Sequence, residues 1–273
     1  MNRIIMVKFG YTNELLNEPI IYALKSNLIS HPFKLIEMPQ ADILKNLENK
    51  SIDMGLISPL QYAINRGKIK ICRDITICSS KSGRNILLFF QGNLEKITKI
   101  FYKKNPLNSY EHLMGEIVIN EFLNVEADWI EVNKFSQIDL DLDKFPVIFL
   151  SGYQAFNALG IVETYIDLSE EWIIQTELPF IHRILAVRDD FKDFNVMDTL
   201  KLSLELGLRN IKKIAENFDD ITKKSWDIYT DLLRKNYQYY YSEEPVWKSL
   251  REILSFIFYY GKSEYLPDLK FWD

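Results

Sequence analysis

Short apolar runs alternate with amphipathic stretches through the first two-thirds of the chain. Residues 4–7, 33–38 and 54–57 read as strands, each a brief apolar-rich run bounded by polar or turn-forming positions. Residues 19–25 and 41–47 read as helices. Ala41, Ile43, Leu44 and Leu47 recur at helical spacing, and Pro19 suits a first turn, where its missing N–H costs nothing. Strands alternating with helices predict an α/β fold with a mostly parallel sheet.

Two longer apolar strands, residues 86–90 (ILLFF) and 184–187 (ILAV), bracket a segment with strand candidates of its own at 117–119 and 146–150. The economical reading is a two-lobed chain. Residues 1–90 plus 185–273 form lobe one, residues 91–184 form an inserted lobe two, and the two long strands are the crossings. Ligands of such folds bind between lobes or at the carboxyl ends of strands, where backbone N–H groups and helix N-termini converge. Beyond Arg188 the pattern turns helical, over 196–218, 226–233 and 245–260, with Asn195 and Asp198 placed as a capping pair. Tyr237, Tyr239, Tyr240 and Tyr241 read as packing rather than as a stacking surface.

Composition narrows the function classes. A net charge of −5 argues against a general nucleic-acid binder. The two cysteines, Cys72 and Cys78, are too few for a disulfide framework and read as buried thiols, which suits a reducing compartment. The apolar run near the first residue is too short for a secretory leader, and no run reaches a membrane span, so a cytoplasmic protein is expected. Oligomeric state is not legible. His31, His112 and His182 are isolated, and no HExxH or CxxC spacing suggests a metal. Gly261-Lys262-Ser263 lacks the upstream glycine of a phosphate loop, since position 256 is Phe, and no GxSxG elbow occurs. Between Arg66 and Lys104, ten Lys or Arg face two acids, Asp74 and Glu95, a local excess that would attract a small anion. Within it, residues 79–85 (SSKSGRN) combine hydroxyls, an amide and a guanidinium suited to a carboxylate.

Four segments resemble the chorismate dehydratase family of the futalosine route to menaquinone. They are SIDMGLISPLQYAINRG (51–67), ICSSKSGRNILLFFQG (77–92), IDLSEEWIIQTELPFIHRILAVR (166–188) and the tail 243–272, and EEW followed by LPF and AVR is the most specific. The resemblance implies a two-lobed fold like that of type II periplasmic binding proteins, with a helical C-terminal segment. It implies a lyase that removes water from chorismate to give 3-[(1-carboxyvinyl)oxy]benzoate, with no metal or redox cofactor and a small anionic carboxylate as substrate. Carried onto this chain, it makes Asn17 the catalytic candidate and Ser58, Ser82, Arg84, Asn85, Asn108, Ser109, Ser151 and Gly152 the substrate-binding candidates.

The polar turns depart from the family pattern. The Asn-x-x-Pro element is represented by Leu16-Asn17-Glu18-Pro19, Asn85 stands where a Ser is usual, and YKKNPLNSYEH, with Asn105, Asn108 and Ser109, replaces a Ser/Thr-rich turn. Leu150-Ser151-Gly152-Tyr153 stands for an Ile-Gly-Asp turn. Two rival readings share the scaffold: a 1,4-dihydroxy-6-naphthoate synthase-like enzyme, and a non-catalytic protein that binds small carboxylates.

Overall fold

The computed structural model describes residues 6–103, 109–132, 142–159, 164–222, 226–239 and 243–272. The chain divides into two compact units, Met1–Cys78 with Ile181–Asp273, and Ser79–Phe180. The first unit opens with β1 (Val7–Tyr11), α1 (Glu18–Lys25), β2 (Phe33–Glu37), α2 (Gln40–Glu48), β3 (Met54–Ile57), α3 (Pro59–Ile64) and β4 (Ile69–Ser79). The second unit holds β5 (Ile86–Phe90), β6 (Lys99–Tyr102), α4 (Ser109–Glu121), β7 (Asp128–Glu131), β8 (Val147–Ser151), α5 (Tyr153–Ala158), β9 (Tyr165–Asp167) and α6 (Leu168–Thr176). The chain then returns through β10 (Phe180–Arg188), α7 (Val196–Arg209), α8 (Ile211–Thr222), α9 (Trp226–Lys235), β11 (Tyr237–Gln238) and α10 (Glu244–Tyr259).

Each unit is built on one sheet, and the two sheets share an order. The first runs β11-β4-β10-β3-β1-β2 and the second β7-β6-β8-β5-β9. In the first, β1 pairs in parallel with β2 and β3, and the returning β10 runs antiparallel to β3. In the second, β6 pairs in parallel with β7 and β8, and β5 runs antiparallel to β8. Thus β6, β7, β8, β5 and β9 repeat the places of β1, β2, β3, β10 and β4. β10 is buried from Phe180 to Val187, as a strand covered on both faces must be.

Four sequence expectations change. Ile117, Val118 and Ile119 lie in α4, not in a strand. All three are fully buried, and an apolar run covered on every side carries no period to tell helix from strand. The 196–218 helix is two helices broken at Asn210, whose side-chain amide donates to the Leu206 carbonyl at 2.7 Å. Asn195 makes no side-chain cap on α7; its amide donates instead to Asp193. The unit boundaries also lie earlier than 90/91 and 184/185. β5 sits wholly inside the second sheet, and the chain leaves the first unit through the longer β4.

The helical return packs on the first unit. Gly207 of α7 meets the backbone of α1 so closely that an added Cβ would lie 2.0 Å from the Pro19 carbonyl oxygen, and Ser203 Oγ donates to the Ile20 carbonyl at 2.7 Å. Cys72 and Cys78 are buried free thiols, pushed up to about 11 and about 12 mainly by burial. Tyr237 and Tyr239 are buried packing residues, whereas Tyr240 and Tyr241 lie outside the described residues.

His182 on β10 is fully buried against the edge of Tyr237, and burial, with the Arg183 charge adding, lowers its pKa to about 3. An unfolded His takes a proton near pH 6.5, so below that value the unfolded chain binds the extra proton and folding stability falls toward pH 3. From pH 7 to pH 5 this one group should remove about 2 kcal/mol. Urea unfolding at both pH values checks it: the pH-dependent loss should shrink by that amount in His182→Phe.

Candidate functional site

In the first unit the candidates Asn17 and Ser58 lie beyond the carboxyl ends of β1 and β3. Residues 12–17 wind from β1 into α1 around the Thr12 carbonyl, which accepts from Glu14 N–H at 2.8 Å and from Asn17 Nδ2 at 2.9 Å. A carbonyl only accepts, so this bond fixes the Asn17 amide with Oδ1 on the other side. Asn17 is fully buried, and among the described residues Oδ1 has no hydrogen-bond partner. Although Asn17 occupies the N-cap position of α1, its side chain does not cap that helix.

A buried polar chain continues from this turn. Thr12 Oγ1 donates to Gln40 Oε1 at 3.1 Å, and Gln40 Nε2 donates to Gln61 Oε1 at 2.6 Å and to the Leu56 carbonyl at 3.1 Å. Gln61 Nε2 donates back to the Gln40 carbonyl at 2.6 Å. Ser58 and Gln61 form a capping box on α3, with Gln61 N–H donating to Ser58 Oγ and Ser58 N–H to Gln61 Oε1. Ser58 therefore has the capping role that Ser-Pro-x-Gln specifies at a helix start.

Electrostatics at the same strand ends are set by burial. Tyr11 donates to Glu37 Oε2 at 3.2 Å and is pushed up to about 12, first by desolvation and then by the Glu37 charge. Glu18, next to Asn17, is raised by burial against the pull of Lys25 at 2.7 Å. Arg183 is 2% exposed; Nη2 donates to Glu14 Oε2 at 2.8 Å and Nη1 to the His182 carbonyl at 2.8 Å.

In the second unit five candidates converge on the β8 end and the β5 start. Ile86 pairs with Ser151, and one step further Gly152 N–H donates to the Asn85 carbonyl at 2.8 Å. Gly152 adopts φ 58°, ψ −135°, a conformation essentially reserved for glycine, which turns the chain from β8 into α5. Asn85 and Ser151 are buried at 2% and 7% exposure. Asp167, at the end of β9, is the organising group. Oδ2 accepts from Ser82 Oγ at 2.5 Å and Arg84 N–H at 2.6 Å, and Oδ1 accepts from Ser169 Oγ at 2.6 Å and Ser169 N–H at 3.0 Å. Gly83 N–H donates to Ser169 Oγ at 2.9 Å.

The side chains of Lys81 and Arg84 are exposed, and Arg84 enters this knot through its backbone, held at φ 52°. Its guanidinium offsets the rise that burial and Asp167 impose on Glu170. In the EEW motif, Trp172 is core, packed against Phe122 and Phe180.

The basic stretch is divided between the units, with Arg66, Lys68, Lys70 and Arg73 in the first and Lys81, Arg84, Lys96, Lys99 and Lys103 in the second, while Lys104 lies outside the described residues. Arg73 lies over the Phe271 ring at 3.4 Å. Ser109 is exposed at the start of α4, while Asn105 and Asn108 lie outside the described residues. Sequence reasoning missed Thr12, Glu14, Gln40, Gln61 and Arg183. Two signals were present: the S-x-x-Q spacing of Ser58 and Gln61, and a charged residue inside the otherwise apolar run FIHRILAV.

Solved structures with this architecture are periplasmic-binding-protein-like. The aliphatic sulphonate binding protein SsuA of Escherichia coli superposes with a TM-score of 0.72 at 10% identity, covering 98% of this chain and 92% of its own. An ABC transporter protein of Parabacteroides distasonis gives 0.69 at 14% identity, covering 98% and 99%. The alkanesulfonate-binding protein SsuA of Xanthomonas axonopodis pv. citri, bound to MOPS, gives 0.66 at 10% identity, covering 97% and 95%. At these identities the likeness establishes the fold alone, and it agrees with the two-lobed α/β reading. Among the described residues no helix is long and apolar enough to cross a membrane. No curated protein matches the chain. The sequence matches the family described as menaquinone biosynthesis over residues 7–249, nearly its whole length, and the chain belongs to that family.

Proposed function

We propose that the protein is a chorismate dehydratase-like carbon–oxygen lyase of the futalosine route, acting in the cytoplasm. The observation that carries this reading is the family match over residues 7–249. In the reaction, the ring carbon bearing the enolpyruvyl ether loses a proton and its neighbour loses hydroxyl. The ring becomes aromatic, and the products are 3-[(1-carboxyvinyl)oxy]benzoate and water. Such a step needs a base, a partner for the leaving hydroxyl and a fixed pose.

His182 is a poor base, since it is fully buried and its pKa is lowered to about 3. The protein's part is therefore orientation: Asn17 Oδ1 is a buried acceptor without a hydrogen-bond partner among the described residues, which a ligand hydroxyl would satisfy, and the Asn85–Ser151–Gly152 turn holds polar groups at a strand end. The substrate's own carboxylate serves as the base.

The test is incubation of the purified chain with chorismate and, separately, with cyclic dehypoxanthinyl futalosine, followed by mass spectrometry. Loss of water from chorismate supports the reading, and turnover of the second compound alone replaces it. Asn85 is buried where the family has the smaller Ser, and ~1 Å of misplacement costs up to ~10²-fold in rate. Asn85→Ser is therefore expected to raise kcat/KM for chorismate about tenfold or more. Because structural neighbours bind sulphonates, a binding protein for small carboxylates is the second reading. Thermal stabilisation by carboxylates without turnover would favour it.

A further inference from the structure

The repeated sheet order relates two positions that the sequence does not relate. β5 runs antiparallel to β8 in the second unit as β10 runs antiparallel to β3 in the first. Asn85 stands opposite Gly152, where β8 turns into α5. In the first unit Ile184 pairs with Ile57, so one step further along the register Arg183 stands opposite Ser58, where β3 turns into α3. Arg183 is thus the counterpart of Asn85, at a carboxyl strand end.

A guanidinium at 2% exposure has lost nearly all its hydration, and a buried ion pair by itself contributes little to stability. Its carboxylate partner comes from irregular chain: Glu14 lies in the 12–17 turn, with 23% of its side chain exposed. Asn17, in the same turn, presents a buried acceptor with no hydrogen-bond partner among the described residues.

We infer that Arg183 is the carboxylate anchor of the first unit, and that Glu14 holds its place until a ligand carboxylate takes Glu14's position on Nη2. Asn17 Oδ1 then accepts from a hydroxyl of the same ligand, so the class recognised is a small hydroxy-carboxylate. The exchange puts one carboxylate in place of another on Nη2, while Nη1 stays on the His182 carbonyl. Glu14 thereby sets an affinity penalty that the ligand must overcome. This deepens the dehydratase reading and rests on it only for the identity of the natural ligand.

The test is calorimetric titration of the full chain with 3-hydroxybenzoate and benzoate, alongside chorismate turnover, for the unmodified protein, Glu14→Gln, Arg183→Gln and Arg183→Lys. Circular dichroism and thermal melts check folding. Glu14→Gln should bind 3-hydroxybenzoate about tenfold more tightly, because its neutral amide competes poorly for the fork. Arg183→Gln should bind it roughly ten- to a hundredfold more weakly, and Arg183→Lys should fall between. Benzoate should bind more weakly than 3-hydroxybenzoate throughout.

Unchanged or weakened binding in Glu14→Gln overturns the proposal, as does binding of neither probe by the unmodified chain and Glu14→Gln. If Arg183→Gln does not fold, the Glu14→Gln result decides alone. Chorismate turnover that ignores both substitutions removes the anchor and leaves the dehydratase. The expected binding pattern without turnover leaves the anchor and removes the dehydratase.

Discussion

Asp167→Ala should dismantle the polar turn of the second unit. The carboxylate is 5% exposed and accepts from Ser82 Oγ, Arg84 N–H, Ser169 Oγ and Ser169 N–H. Alanine leaves these donors facing protein, and each buried donor left unpaired costs about 1–3 kcal/mol. It also removes the N-cap of α6, a loss of ~1 kcal/mol. A total near 4 kcal/mol is expected, reduced where water reaches the exposed part of the turn. Asp167→Asn keeps an acceptor and should recover about half. The measurement is urea unfolding, together with amide hydrogen exchange at Gly83, Arg84 and Ser169. Protection that survives in the alanine variant would show that the carboxylate does not organise the turn. Because Asn85 follows directly, carboxylate binding should weaken together with the lost protection.

Gly207→Ala should cost about as much by a different route. The new methyl carbon would lie 2.0 Å from the Pro19 carbonyl oxygen and 2.9 Å from its Cα. Both are backbone atoms of a helix, so neither can step aside as a side-chain tip can. Relief requires α1 and α7 to move apart, and overpacking of this kind costs about 3 kcal/mol. For a chain of this size that is a fall in melting temperature of roughly 6–12 °C. Ser203→Ala, which only removes the hydrogen bond to the Ile20 carbonyl, should cost about 1 kcal/mol and serves as the comparison. Pro19 follows the Asn17 turn, so Gly207→Ala should also weaken ligand binding at temperatures where the chain is folded. A melting temperature equal to that of the unmodified protein would refute the close approach of the two helices.

Much of the first unit's framework was legible from local pattern. Pro19 marked the first turn of α1, helical spacing over 41–47 marked α2, and residues 54–57 marked β3. These signals lie within a few residues of what they specify, and a strand–turn–helix unit is a local object. The second unit was read less well. Ile117–Ile119 looked like a strand because three consecutive buried apolar residues carry no period of their own, and β6, β7 and β9 are too short to display alternation.

The site divides along the same line. Residue types and the family's motif spacing picked out Asn17, Ser58, Asn85, Ser151 and Gly152, which lie at strand and helix ends in one unit or the other, and Ser82 in the loop between β4 and β5. Pairing across the sheets is another matter. Arg183 opposite Ser58, Glu14 against Arg183 and Ser82 on Asp167 join residues far apart in sequence. No local pattern encodes which strand lies beside which, or in what register. Those are settled when the sheets assemble, because one register buries the apolar faces of β3 and β10 together, and only then does a buried arginine acquire its glutamate.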